Sequence, residues 1–377
     1  MAQIADTSSG WLTRLARPVA ALLAVVLLTL ALAGLAAPLP IQRDLTAEGK
    51  PVTAGMQGDH RLYLLITQRV AQGEPYYWAA SSTQRAEGYP LKPFLTVRLP
   101  TLAVVTAVIG LPAMSFLLSV AGLLLATLLF WRMRAEPNGF VPALAASLLV
   151  LLNAMHLLSP EWALIHESLA GVFIGLALIW PAQWRWWVPL ALLGIALSVR
   201  ELVVPVLLLF ACRSALERDW RGLGVALGLT ALFGIGLFWH AQMVAQAVRP
   251  SDLASPGWDA LGGWSTYLQF VHQTSILRFA PQSLAAAAIP LAWLGWMGLG
   301  GRLGWTMTIT QIGYAAMIML FARPSNFYWA MLVAPTLLAG LAFVPRALTN
   351  LVAAMVGQAG TANSKVDFAA QGAKPGV

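Results

Sequence analysis

Apolar and polar positions along the chain fall into long blocks instead of alternating residue by residue. Runs of ~17 to 25 apolar residues without strict alternation are spanning helices rather than barrel strands, because in a bilayer the backbone must satisfy its own hydrogen bonds. The pattern therefore predicts an all-α, polytopic transmembrane protein. The first run, Pro18 to about Ala37, follows Arg14 and Arg17. It exceeds the ~7 to 15 residues of a signal-peptide core and reads as a retained first span with the amino terminus inside.

The apolar stretch Phe94 to Trp131 is broken at Gly110-Leu111-Pro112. Two spans would fit it, as would one interfacial helix followed by one span, and the arginines choose between them. Arg132 and Arg134 follow directly, with later clusters at Arg185, at Arg213, Arg218 and Arg221, at Arg302 and at Arg346. If only Pro112 to Trp131 crosses, every one of these clusters falls inside, as the positive-inside rule asks. Further spans are predicted near Phe140–Leu158, Glu167–Trp180, Val188–Val199, Leu202–Cys212, Gly222–His240, Ser283–Leu299, Leu303–Phe321 and Tyr328–Val344. The total is about ten, with both termini cytoplasmic. Residues 1–346 form one membrane domain. Within it lie a first extracytoplasmic loop, 41–111, with interfacial helices, and a second, 241–282. The segment 347–377, rich in Ala and Gly, reads as a disordered cytoplasmic tail.

Composition agrees: only 10% of residues are charged, against roughly 25% in soluble domains. The net charge of +8 raises nucleic acid as a partner, but the basic residues are scattered between apolar runs instead of forming a stripe, which argues against it. A single cysteine, Cys212, excludes an internal disulfide and any cysteine-cluster metal site. There is no HExxH, no Walker loop and no dinucleotide fingerprint. A divalent ion on Asp59, His166 and Glu167 is conceivable, but their spacing does not specify one.

The polar residues worth weighing collect in the predicted outer loops. Asp59 opens a helical pattern with Leu62, Tyr63, Ile66 and Val70 on one stripe, so its carboxylate is either an N-cap or a general base at the membrane surface. The roles are compatible, since a capped helix start fixes a carboxylate in one orientation. His60, Lys92 and Arg98 share that loop. His166 and Glu167 open a later span, as cap or as site. Arg200 and Glu201 interrupt apolar sequence, either as an ion pair holding a turn or with Arg200 presented to an anion. Arg323, Asn326 and Tyr328 precede the last span, where a snorkelling cation is the plainer role for Arg323.

Taken together, Asp59-His60-Arg61-Leu62-Tyr63, Gly73-Glu74-Pro75-Tyr76, Tyr89-Pro90-Leu91-Lys92-Pro93, Arg98-Leu99-Pro100, the outer Glu167 and the Arg323 to Tyr328 turn give a layout that resembles the C-type (GT-C) membrane glycosyltransferases. Where many members carry a second acid, this chain has His60. The resemblance implies an enzyme of the bacterial inner membrane with its active face extracytoplasmic. It would transfer a sugar, with inversion, from a polyprenyl-phosphate donor to a glycan, lipid or protein acceptor. Asp59 is then the base. Lys92, Arg200 and Arg323 are candidates for the lipid phosphate, and His166 and Glu167 for sugar or acceptor hydroxyls. The competing readings are a transporter or flippase of a lipid-linked saccharide, with ionisable groups near the midplane of several spans, and a non-catalytic subunit of envelope assembly.

Overall fold

The computed structural model describes residues 11–36, 56–135, 139–181, 184–258 and 260–357. Part of the first loop, 41–55, and of the tail, 358–377, lie outside the described residues. Among those described, the chain is helical throughout, with no strand and a single bridge between Lys92 and Ala254. In order the helices are α1 Arg17–Ala36, α2 Met56–Ala71, α3 Tyr76–Ala86, α4 Thr101–Ile109, α5 Leu111–Met133, α6 Phe140–Ala154, α7 His166–Ile179, α8 Val188–Val199, α9 Val204–Leu216, α10 Trp220–Ala247, α11 Gly263–Thr274, α12 Gln282–Leu299, α13 Gly301–Phe321, α14 Ala334–Leu337 and α15 Val344–Val356.

Among the described residues six helical stretches are long and apolar enough to cross a membrane: α1, α5, α10, α12, α13 and Ala334–Val356. The ten predicted spans included four shorter elements, and their lengths explain the difference. At 1.5 Å per residue the 14 residues of α7 reach about 21 Å, short of a hydrocarbon core of roughly 30 Å. The exposed apolar side chains of α1 and α10, such as Leu22, Val25, Leu232, Ile235 and Phe238, are what a bilayer would cover.

The break at Gly110 falls where the sequence placed it. Its φ of 86° is left-handed, a conformation glycine adopts without a Cβ clash. It separates the nine-residue α4 from the 23-residue α5. The last span is displaced from its expected position. Pro324–Leu332 is a 3₁₀ segment, and the helical run continues beyond Arg346 through Val356 before ending at Gly357. Proline at the start of α14 and of α15 fits, since a first-turn residue needs no N–H partner.

α7 is the centre of the packing. Every residue in it except Phe173 is buried, as expected of a helix apolar all round, and it contacts α5, α8, α13 and the 324–332 segment. Gly171 makes the last contact possible. A Cβ there would stand 2.1 Å from the Met331 carbonyl oxygen, so any other residue would push the 324–332 segment away.

Candidate functional site

Several polar side chains picked out by the sequence meet at the end of the bundle where α7 begins and α8 finishes. α2 contributes Asp59 and Tyr63, the stretch before α4 contributes Arg98, and α7 contributes His166 and Glu167. Arg200 and Glu201 occupy the turn after α8, and Tyr328 lies on the 3₁₀ segment that Gly171 admits.

Arg98 is the hub. Its Nε donates to the Tyr63 hydroxyl at 3.0 Å and its Nη2 to the Tyr328 hydroxyl at 3.1 Å. The guanidinium also faces the Tyr328 ring at 5.7 Å. Behind it, the Tyr76 hydroxyl donates to the Arg98 carbonyl at 2.6 Å, anchoring the backbone to α3. Among the described residues both direct partners of the guanidinium are neutral phenols, and no carboxylate is in direct contact with its positive charge.

Arg200 differs. It is 2% exposed, with its Nε 2.6 Å from Glu167 Oε1 and its Nη1 2.5 Å from Glu201 Oε1. The Glu167 contact is an ion pair whose N–H does not point at the oxygen. The Tyr314 hydroxyl donates to the Leu202 carbonyl at 2.6 Å and braces the same turn. Of the two readings of Arg200, the ion pair that holds the turn is the one realised, and it recruits Glu167 as a second partner.

Asp59 stands in the first turn of α2, half-buried, with its carboxyl hydrogen-bonded by the Tyr89 hydroxyl. Burial raises its pKa above the ordinary 3.8, opposed by the Tyr89 hydrogen bond and the charge of Arg98, while Glu167 adds to the rise. The same burial, with the Asp59 charge beside it, keeps the Tyr89 phenol protonated. His166 is 3% exposed, and among the described residues neither ring nitrogen has a hydrogen-bond partner. The Tyr63 ring meets it edge to face at 4.9 Å.

The remaining expectations scatter. His60 turns to the rim, with Nδ1 3.6 Å from Glu161 and its ring edge to face with Trp162 at 5.5 Å. Burial lowers its pKa against the pull of Glu161. Lys92 gives its Nζ to the Pro250 carbonyl at 3.0 Å, and its backbone pairs with 253–255. Arg323 donates to the Ser255 hydroxyl at 2.9 Å and faces the Trp258 ring at 5.9 Å. Asn326 Oδ1 accepts from the Arg323 backbone N–H at 3.1 Å. Lys92 and Arg323 thus seat the 250–258 loop and Asn326 holds the Arg323 backbone, and among the described residues none of the three bonds to a member of the Asp59 cluster. The loop is latched further by Arg85, whose two bonds to Asp252 at 2.6 and 2.7 Å hold that acid down to about 2.

Tyr89 is the member that residue-by-residue reasoning passed over. It stands in the quoted Tyr89-Pro90 motif, and an aromatic ahead of a proline could have flagged it. Among the described residues no group of three or more His, Cys, Asp or Glu is arranged to hold a metal ion. No protein-family model, curated protein or solved structure matches the chain.

Proposed function

We propose that this end of the bundle transfers a sugar from a polyprenyl-phosphate carrier to an acceptor hydroxyl on the outer face of the membrane, with Asp59 as general base. The observation that carries the reading is the pairing of a buried-edge carboxylate with an arginine whose charge is not neutralised by direct contact. The acceptor oxygen attacks the anomeric carbon while its proton passes to Asp59. The bond from that carbon to the phosphate oxygen breaks, and the lipid phosphate leaves with the electron pair. Negative charge grows on the leaving phosphate, and a cation fixed in place beforehand lowers that barrier most in a site shielded from water. Arg98 fills this role better than Arg200, Lys92 or Arg323. Its two phenol bonds orient it without cancelling its charge, and a planar guanidinium matches a phosphate in bidentate fashion. His166, buried with both nitrogens free of partners among the described residues, suits the hydroxyls of the sugar or acceptor.

A base with a pKa above the ordinary carboxylate range is a stronger proton acceptor while still ionised near neutral pH. Asp59→Asn is expected to lower transfer from a polyprenyl-phosphate sugar by about 10²- to 10⁴-fold while leaving the protein monodisperse in detergent. Normal turnover in that variant would remove the base assignment. Placement of the ionisable groups at the ends of the helices supports an enzyme over a flippase, whose coupling groups would lie near the midplane. Transbilayer movement of a labelled carrier without sugar transfer would reverse that preference.

A further inference from the structure

The same helices that carry the Asp59 cluster at one end enclose a second polar site at the other. A cavity of about 210 Å³ opens among the ends of α5, α7 and α9 and the starts of α8, α10 and α13. Its polar lining is Arg132, Arg213, Arg302, Glu217, Asp219 and the Trp180 indole, over apolar walls. With α7 about 21 Å long, this cavity and the Asp59 cluster are separated by nearly the depth of the bundle.

Among the described residues the cavity's charged side chains are three arginines and two carboxylates. Asp219 caps α10, accepting from the Gly222 N–H at 3.1 Å. Arg132 donates to the terminal carbonyls of α7, at 2.6 Å to Ile179 and 3.2 Å to Trp180, a cation on a helix carboxyl end. Arg213 and Arg302 are left to share one carboxylate. Glu217 takes Arg302 Nη2 at 3.0 Å and Arg213 Nε at only 3.8 Å. Among the described residues the buried Arg213 Nε has no hydrogen-bond partner, and neither has the Trp180 Nε1. The turn that supplies both acids is itself unusual, with Arg218 held at φ 58° between them. A non-glycine residue seldom adopts that conformation. The α9–α10 junction therefore holds two guanidinium groups on one carboxylate, beside a space large enough for another anion.

We propose that this cavity binds a phosphate group, which completes the Arg213–Glu217–Arg302 triad by supplying the missing negative charge. A phosphate oxygen accepts from the terminal N–H groups of Arg213, while Glu217 stays on Arg302. The exposed indoles of Trp184, Trp186 and Trp187 beside it are the residue type that settles at the headgroup level of a bilayer. A phospholipid headgroup entering from the leaflet can supply this chemistry, and so can free phosphate. The proposal does not depend on the transfer reaction assigned to the Asp59 end.

The test is retention of phosphatidylglycerol against phosphatidylcholine by the full chain in native mass spectrometry, with inorganic phosphate as competitor. Arg213→Gln with Arg302→Gln is expected to cut phosphatidylglycerol retention by about tenfold or more, since charge-assisted bonds to phosphate are the strong ones. Arg185→Gln, an exposed cation in the turn between α7 and α8, is the control and is expected to change little. Glu217→Gln removes the internal competitor and should raise retention, an outcome that a merely damaged fold does not produce. Displacement by inorganic phosphate assigns the site to soluble phosphate, and retention that resists it assigns the site to the headgroup. Equal loss in Arg185→Gln and the double variant would overturn the proposal, as would a fall in Glu217→Gln.

Discussion

The two ends of the bundle use the same ingredients with the signs exchanged. At the Asp59 end a single arginine, Arg200, lies between two carboxylates, Glu167 and Glu201. At the other end a single carboxylate, Glu217, lies between two arginines, Arg213 and Arg302. Burial separates them more than charge does: Arg200 and Glu167 are each 2% exposed, whereas Arg302 and Glu217 are 42% and 33% exposed. A charge pair taken out of water is costly to break because each partner would be stranded, while a wet pair is worth little. The first triad is thus a closed structural element beside Arg98. The second is an open arrangement that a ligand can complete.

The largest expected effect tests that contrast directly. Glu167→Gln leaves buried Arg200 with Glu201 as its only charged partner, and a loss of about 3 kcal/mol of stability is expected, at the lower end for a broken buried pair. A midpoint of thermal unfolding in detergent equal to the parent's would show that the buried triad holds nothing. Next comes Arg98→Gln, which keeps hydrogen-bonding groups near Tyr63 and Tyr328 but removes the charge. Removing one preorganised stabiliser of developing negative charge costs ~10²- to 10³-fold in turnover, and Arg98→Lys should recover only part of it, lacking the planar fork. If Arg200→Gln hurt turnover more than Arg98→Gln in variants of equal stability, the roles of the two arginines would be exchanged.

Much of this contrast was legible in the sequence and part of it was not. Apolar blocks and the break at Gly110 fixed the helical class and the boundary between α4 and α5, because they depend on local composition and on one residue's φ. Asp59, Tyr63, Arg98, His166, Glu167, Arg200 and Tyr328 were each identified, since ionisable or phenolic groups bordering apolar runs are rare enough to count. Their partners were not. That Arg200 turns to Glu167, and that Arg98 meets only phenols, depends on the crossing of α2, α7 and the 324–332 segment, which Gly171 permits through one missing Cβ. Lys92 and Arg323, cations like the clustered arginines, bond instead to Pro250 and Ser255 on a loop whose path no periodicity encodes. The cavity at the other end was invisible for a related reason. Arg132, Arg213 and Arg302 read in the sequence only as topological charge, like any arginine between apolar runs.

A subtler expectation concerns pH. A carboxylate base works deprotonated, so transfer is lost as pH falls through the pKa of Asp59, which burial places above 3.8. The Tyr89 hydroxyl donates to the charged form and so holds that pKa down. In Tyr89→Phe this support is gone, the pKa rises further, and the acid limb of the rate profile moves to higher pH. A limb that stays in place, or moves to lower pH, would remove Tyr89 from the site and weaken the case for Asp59 as the titrating base.

The smallest effect is the one that separates the two triads most cleanly. Arg302→Gln breaks a contact of 3.0 Å to Glu217, close to the 2.6 Å of the Arg200–Glu167 pair, so distance alone would predict similar losses. Exposure predicts otherwise: with water able to solvate Glu217 once Arg302 is gone, the cost should stay within about 1 kcal/mol and shrink further at high salt. Arg213, still near the carboxylate, offsets part of even that. A loss comparable to that of Glu167→Gln would mean the Glu217 triad is as structural as the Arg200 one, and the cavity beside it would then be a by-product of packing instead of a place for a ligand.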